Sequence, residues 1–173
     1  MQYVNRTLER KFLHMSGFFK AVLVTGARQV GKTTMLKHLA EGQARTYVSL
    51  DDSMVRTLAQ TDPVLFFQTY QPPIIIDEVQ KAPQLFEQIK IMCDASEETG
   101  RFWLAGSQQY SMMKNIRETL AGRIGILELY GEVKKYELLD KASLTRGSGG
   151  IVCMCEEVIP IDSKNSFIPC NLI

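Results

Sequence analysis

Net charge is almost missing from this chain: 20 Lys and Arg against 19 Asp and Glu leave +1 over 173 residues. No global field therefore favours nucleic acid, and no Lys/Arg run marks a local basic patch. No stretch approaches the ~20 apolar residues that span a bilayer. The amino-terminal segment carries Arg6, Glu9, Arg10 and Lys11 where a secretory leader has an apolar core. No membrane partner is expected, and a cytoplasmic location is. Cysteine is sparse: Cys93, Cys153, Cys155 and Cys170. Cys153-Met154-Cys155 lacks the two-residue spacer of zinc and redox pairs, and the two histidines, His14 and His38, lie far off in sequence. The cysteines read as free thiols of a reducing compartment. Internal repeats and low-complexity tracts are also missing. The 45% hydrophobic and 23% charged content is that of a chain able to bury a core. One domain with a tail is the expectation at this length.

Against these absences stands one specific run, Gly26-Ala27-Arg28-Gln29-Val30-Gly31-Lys32-Thr33, continued by Thr34. It reads G-x-x-x-x-G-K-T, a phosphate-binding loop. The apolar, β-branched Ala21–Thr25 run before it suits a buried strand. After it, Met35/Leu36 and Leu39/Ala40 recur at helix spacing, giving a helix over about 31–41. The glycines let the backbone curl so that successive N–H groups face one anion, and the helix start adds partial positive charge. Residues 26–34 are thus expected to cradle a nucleoside triphosphate. Lys32 would reach its β- and γ-phosphates, and the Thr33 hydroxyl would ligate Mg²⁺.

The partner of such a loop is a metal-binding acid. Ile74-Ile75-Ile76 predicts a strand buried on both faces, ending in Asp77-Glu78. Carboxylates at that end of a central strand sit where α/β sheets bind ligands. Asp77 is assigned to the Mg²⁺ shell as the Walker B acid, and Glu78 to the attacking water. Neighbouring strand residues point to opposite faces, so both acids can serve one site only if the chain turns there.

Two weaker signals follow. The strand Arg101–Ala105 runs into Gly106-Ser107-Gln108-Gln109. Ser107 and Gln108 read equally as γ-phosphate sensors or as an ordinary polar turn and helix cap. Arg123 follows a helical pattern of Met112/Met113, Ile116 and Leu120, and precedes an Ile124–Leu129 strand. Its spacing favours a capping or surface arginine over one that stabilises transition-state charge in its own or a neighbouring subunit.

Strands at about 21–25, 45–50, 74–77, 101–105 and 124–129 alternate with helices, one of them opened by Asp62-Pro63 and another by Ala82-Pro83. That alternation predicts an α/β fold of three layers around a mainly parallel sheet. The intervening 45–50 strand is expected at an edge or an inserted position, with the loop-bearing strand beside the acidic strand's neighbour. The glutamate after the metal acid suits the additional-strand (AAA+/ASCE-like) P-loop NTPases. No N-K-x-D tetrad and no D-x-x-G follow, which counts against guanine. Small-molecule phosphoryl transfer uses the same loop, but no acceptor pocket is identifiable.

With these residues placed, Val22–Thr34, Ile75–Pro83, Ala105–Gln108 and Leu120–Arg123 resemble the AAA-type ATPases of the bacterial and archaeal AAA_14 group. The resemblance implies an ATPase domain over residues 1–130, with Lys32, Thr33, Asp77 and Glu78 in the roles above. It adds Gln108 and Arg123 as catalytic candidates. ATP and Mg²⁺ are the implied cofactors, with a homo-oligomer or a protein client as possible partner. Members of that group usually carry a carboxy-terminal DUF4143 domain. Here residues 131–150, with Gly147-Ser148-Gly149-Gly150, read as a linker. Residues 151–173 read as a short β-rich remnant of that second domain. Glu156, Glu157, Asp162 and Lys164 within it read as a solvated charged hairpin rather than a nuclease set. The leading expectation is slow, Mg-dependent ATP hydrolysis. The alternatives are a non-hydrolysing nucleotide-binding module and the ATPase part of a nucleic-acid-linked system.

Overall fold

A computed structural model describes residues 8–107, 116 and 118–129 with their side chains, and the backbone of residues 7, 149–153, 159–160 and 165–169. Gln108, most of the expected 112–120 helix, the linker up to residue 148, and Glu156, Glu157, Asp162 and Lys164 lie outside the described residues. The chain divides into two compact units, Met1–Leu129 and Tyr130–Ile173.

In the first unit, α1 (Thr7–Ser16) leads into β1 (Ala21–Gly26), α2 (Lys32–Leu39) and β2 (Thr46–Ser49). Then come α3 (Ser53–Thr61), α4 (Pro63–Thr69), β3 (Ile74–Asp77) and a 3-10 turn at Val79–Lys81. The unit continues through α5 (Leu85–Asp94) and β4 (Phe102–Ala105) to β5 (Ile124–Leu129). The five strands form one sheet in the order β2-β3-β4-β1-β5. Every pairing is parallel. β2 takes the edge, one of its two expected positions, and β4 separates the loop-bearing β1 from the acidic β3, as expected.

Burial alternates as a two-sided sheet requires. Ile74 and Ile76 join Leu23, Leu104, Phe66, Phe86 and Ile89 on the face covered by α3, α4 and α5. Ile75, Val22, Val24 and Trp103 pack with Phe12, Met35 and Leu36 beneath α1 and α2. This is the expected three-layer α/β architecture. Helix starts follow local chemistry. The Asp52 carboxylate caps α3 by accepting from Met54 N and Val55 N, at 2.8 and 3.2 Å. Asp62 caps α4 through Leu65 N at 2.8 Å, with Pro63 at the first helical position.

The second unit contains β6 (Gly149–Cys153), β7 (Ile159–Pro160) and β8 (Asn165–Pro169), in the order β6-β8-β7. β6 and β8 pair parallel, and β7 and β8 antiparallel. Gly149 and Gly150, read above as linker, lie in β6.

Candidate functional site

The site is built where β1 stops. Gly26 sits at φ +142°, and a Cβ there would come within 2.2 Å of the Leu129 carbonyl oxygen at the end of β5. Only glycine allows that approach. Gln29 (φ 62°) and Gly31 (φ 80°) also turn left-handed, so the loop curls back before α2 begins at Lys32. Val30 is buried in the core and anchors the loop from below. α2 has no side-chain cap and no acidic residue in its first turn. Its leading N–H groups have no acceptor within the helix, so they are available to an anion, which the helix dipole favours.

Lys32 is only 6% exposed. Its Nζ donates to the carbonyls of Gly26 at 3.1 Å and Ala27 at 2.8 Å, so the loop itself holds the ammonium. Burial lowers the Lys32 pKa from the ordinary lysine value; the Glu78 and Asp77 carboxylates oppose that shift, and Arg28 adds to it.

β3 brings the acids to the same place. Thr33 Oγ1 donates to Asp77 Oδ2 at 2.8 Å across 44 residues of sequence. The Tyr47 hydroxyl, from β2, donates to the same oxygen at 3.1 Å, and Glu78 N donates to Asp77 Oδ1 at 3.0 Å. Burial raises Tyr47 to about 12, with the Asp77 charge acting in the same direction. The turn that both acids need is present: β3 ends at Asp77, and Glu78 takes φ 56°, ψ 40°. A left-handed conformation in a non-glycine residue costs about 1–3 kcal/mol. Here it releases the Glu78 side chain from strand alternation and turns it into the cavity.

That cavity holds about 580 Å³ and is lined by Arg28, Gln29, Gly31, Lys32, Thr33, Thr34, Asp51, Glu78 and Lys81. A hydroxyl and carboxylates beside a cationic, N–H-rich loop make an all-oxygen donor set, which fits a hard cation such as Mg²⁺. Among the described residues, no group of three or more His, Cys, Asp or Glu forms a metal cluster. An ion here would need phosphate oxygens to complete its shell, as Mg²⁺ commonly does.

The sequence reading missed four contributors. Tyr47 fixes Asp77. Gln80 donates to Glu78 Oε2 and accepts from Ser107 N at 3.3 Å. Lys81 pairs with Asp51 on the cavity wall. A visible signal was the Asp51-Asp52 pair in the turn after β2, which pairs with the acidic strand; the Tyr47 and Gln80 contacts had none. Ser107 meets the site through its backbone N–H.

Arg123 lies apart from the cavity of its own chain. Ala21 N donates to Arg123 O at 3.1 Å, which sets Arg123 beside the start of β1. The phosphate loop leaves the other end of that six-residue strand, about 16 Å away at strand rise. The side chain is held there by Asp94, with Nε–Oδ1 2.5 Å and Nη2–Oδ2 3.1 Å, while Nη1 donates to Ala121 O at 3.0 Å. The hydrogen bond from Arg123 lowers the Asp94 pKa and raises that of Arg123. The physical reason is directional: residues that open a strand of a parallel sheet collect at the opposite end from those that close one.

The family AAA_14, described as an AAA domain, matches residues 18–133. Uncharacterized proteins of Mycobacterium bovis and Mycobacterium tuberculosis are each 32% identical over 123 residues, covering 70% of this chain and 27% of theirs. The chain thus spans about a quarter of the length of the curated relatives it matches. Among solved structures, the Walker-type ATPase of Pyrococcus abyssi aligns over 82% of this chain and 59% of its own, at TM-score 0.47 and 14% identity. A RuvB mutant of Thermotoga maritima aligns over 81% and 51%, at TM-score 0.49 and 16% identity.

Proposed function

The chain belongs to the AAA_14 family of AAA domains, and from that premise we propose that it binds ATP with Mg²⁺ and hydrolyses the γ-phosphate. The observation that carries the reading is the 2.8 Å contact between Thr33 and Asp77, set against the amide-lined loop that leaves β1. The loop amides and the start of α2 hold the phosphates. Lys32 exchanges the Gly26 and Ala27 carbonyls for phosphate oxygens and offsets their charge. Thr33 and Asp77 would hold the Mg²⁺, which supplies Lewis-acid charge stabilisation when bound. Glu78, turned into the cavity at the end of β3, orients the attacking water and accepts its proton. Gln108, three residues past β4 in sequence, is proposed to sense the γ-phosphate.

The test is titration with ATP and GTP, with and without Mg²⁺, followed by phosphate release across protein concentration. Glu78→Gln is expected to keep ATP affinity while turnover falls by about 10²- to 10⁴-fold, the range of general-base contributions. Equal turnover in that variant removes Glu78 as the base. Tight Mg-ATP binding with no phosphate release at any concentration turns the reading into that of a non-hydrolysing nucleotide module.

A further inference from the structure

We propose that Gln80 is a positioning residue that holds Glu78 in register with the phosphate loop; this rests on the hydrolytic reading above. Glu78 leaves the strand in a left-handed turn, so sheet packing does not hold its side chain. Gln80, two residues on and inside the 3-10 segment, spans the gap. Its Nε2 donates to Glu78 Oε2, and its Oε1 accepts from Ser107 N at 3.3 Å. Ser107 follows Gly106, whose own N–H donates to Val24 O in β1 at 3.1 Å. The acid is thereby tied through β4's end to the strand that carries residues 26–33.

The chemistry of the bridge selects its side chain. An ionised carboxylate only accepts hydrogen bonds, and a backbone N–H only donates one. The group between them must donate at one end and accept at the other, as a carboxamide does. A glutamate at 80 keeps the acceptor for Ser107 but sets a second anion against Glu78. A leucine keeps neither bond. Fixing the carboxylate before reaction removes a rotamer search that a water-orienting group otherwise makes at each turnover.

The test compares the 173-residue chain with its Gln80→Leu, Gln80→Glu and Glu78→Gln variants, with Mg-ATP turnover and ADP affinity read on each. Both Gln80 variants are expected to lower kcat by about 10- to 100-fold, the usual cost of losing a group that orients a site residue. KM and ADP affinity should stay within about threefold, because the phosphate loop is untouched. Adding Gln80→Leu to Glu78→Gln should cost no further turnover, since both changes act through one carboxylate. Gln80→Glu is nearly isosteric and decides the matter if Gln80→Leu fails to fold. Wild-type kcat in a folded Gln80 variant, a raised KM at unchanged kcat, or losses that add to those of Glu78→Gln would each overturn the assignment while leaving the ATPase reading intact. A wild-type chain that releases no phosphate overturns both.

Discussion

At the carboxyl end of the sheet, Lys32 is held by two carbonyls of its own loop, and the first turn of α2 has no cap. At the amino end, the cations are consumed by other elements. Arg45 donates to Gly100 O at 2.9 Å and lies 3.8 Å over the Trp103 ring. Arg123 grips Asp94, and Lys20 donates to Cys93 O at 3.0 Å. Trp103 is itself locked, donating to Ser16 Oγ at 2.8 Å and meeting Phe12 edge-on at 4.8 Å. One end therefore fastens the layers together, and the other keeps exchangeable donors. The cause is the common direction of the strands. In a parallel sheet every strand-to-helix connection after a carboxyl end presents a helix start, with its N–H groups and positive dipole, to one side.

Four substitutions break or sharpen that contrast. Trp103→Ala should cost most in stability, about 3–5 kcal/mol by urea denaturation, as a large buried aromatic is lost. ATP affinity of the folded protein should not change; a strong affinity loss would mean the two ends are not separable. Lys32→Ala should do the reverse, weakening ATP binding by about 100-fold or more by equilibrium titration, the scale of losing one partner of a buried charge pair. Its nucleotide-free melting temperature should barely move, because Lys32 bonds only its own loop.

Arg123→Ala should have a smaller effect on both readouts. The ion pair with Asp94 is partly exposed and screened by salt. Unchanged turnover in dilute protein is expected; a loss that appears only as concentration rises would set Arg123 against a neighbour's nucleotide. The smallest effect concerns Tyr47. Below its unfolded value of 10.0 the hydroxyl is protonated in both states, so its contribution is fully present. Between there and about 12 the unfolded chain ionises first, so stability falls as pH rises through that window. Tyr47→Phe should flatten that decline, read as denaturation midpoints at about pH 9 and about pH 11.

Much of the sheet was legible because its signals are local. Ile74-Ile75-Ile76 suited a strand covered on both sides, and the glycine spacing from 26 to 31 pointed to a tight backbone curl before a helix. The condition on Asp77 and Glu78 was also legible: two neighbouring acids share a cavity only if the backbone turns, and Glu78 does so at φ 56°. Tyr47 and Gln80 were not, because Tyr47 meets Asp77 from another strand, Gln80 meets Ser107 from a distant segment, and neither residue type marks a function by itself. The pairing of Arg123 with Asp94 was not legible for a related reason. A motif near a strand says little about which end of the sheet its side chain reaches.

By itself, the sequence determined the order of strands and helices, the loop conformation at residues 26–34, and the acids that end β3. Those follow from steric limits at glycine, from the two-residue period of a strand, and from burial of branched apolar side chains. The sequence set Thr33 and Asp77 at one expected Mg²⁺; only the tertiary structure decided that they bond directly, that Gln80 joins Glu78 to Ser107, and that Arg123 belongs to Asp94. Each joins residues from separate segments of the chain, and such contacts depend on how individual side chains pack once the strands are assembled, which no local pattern carries.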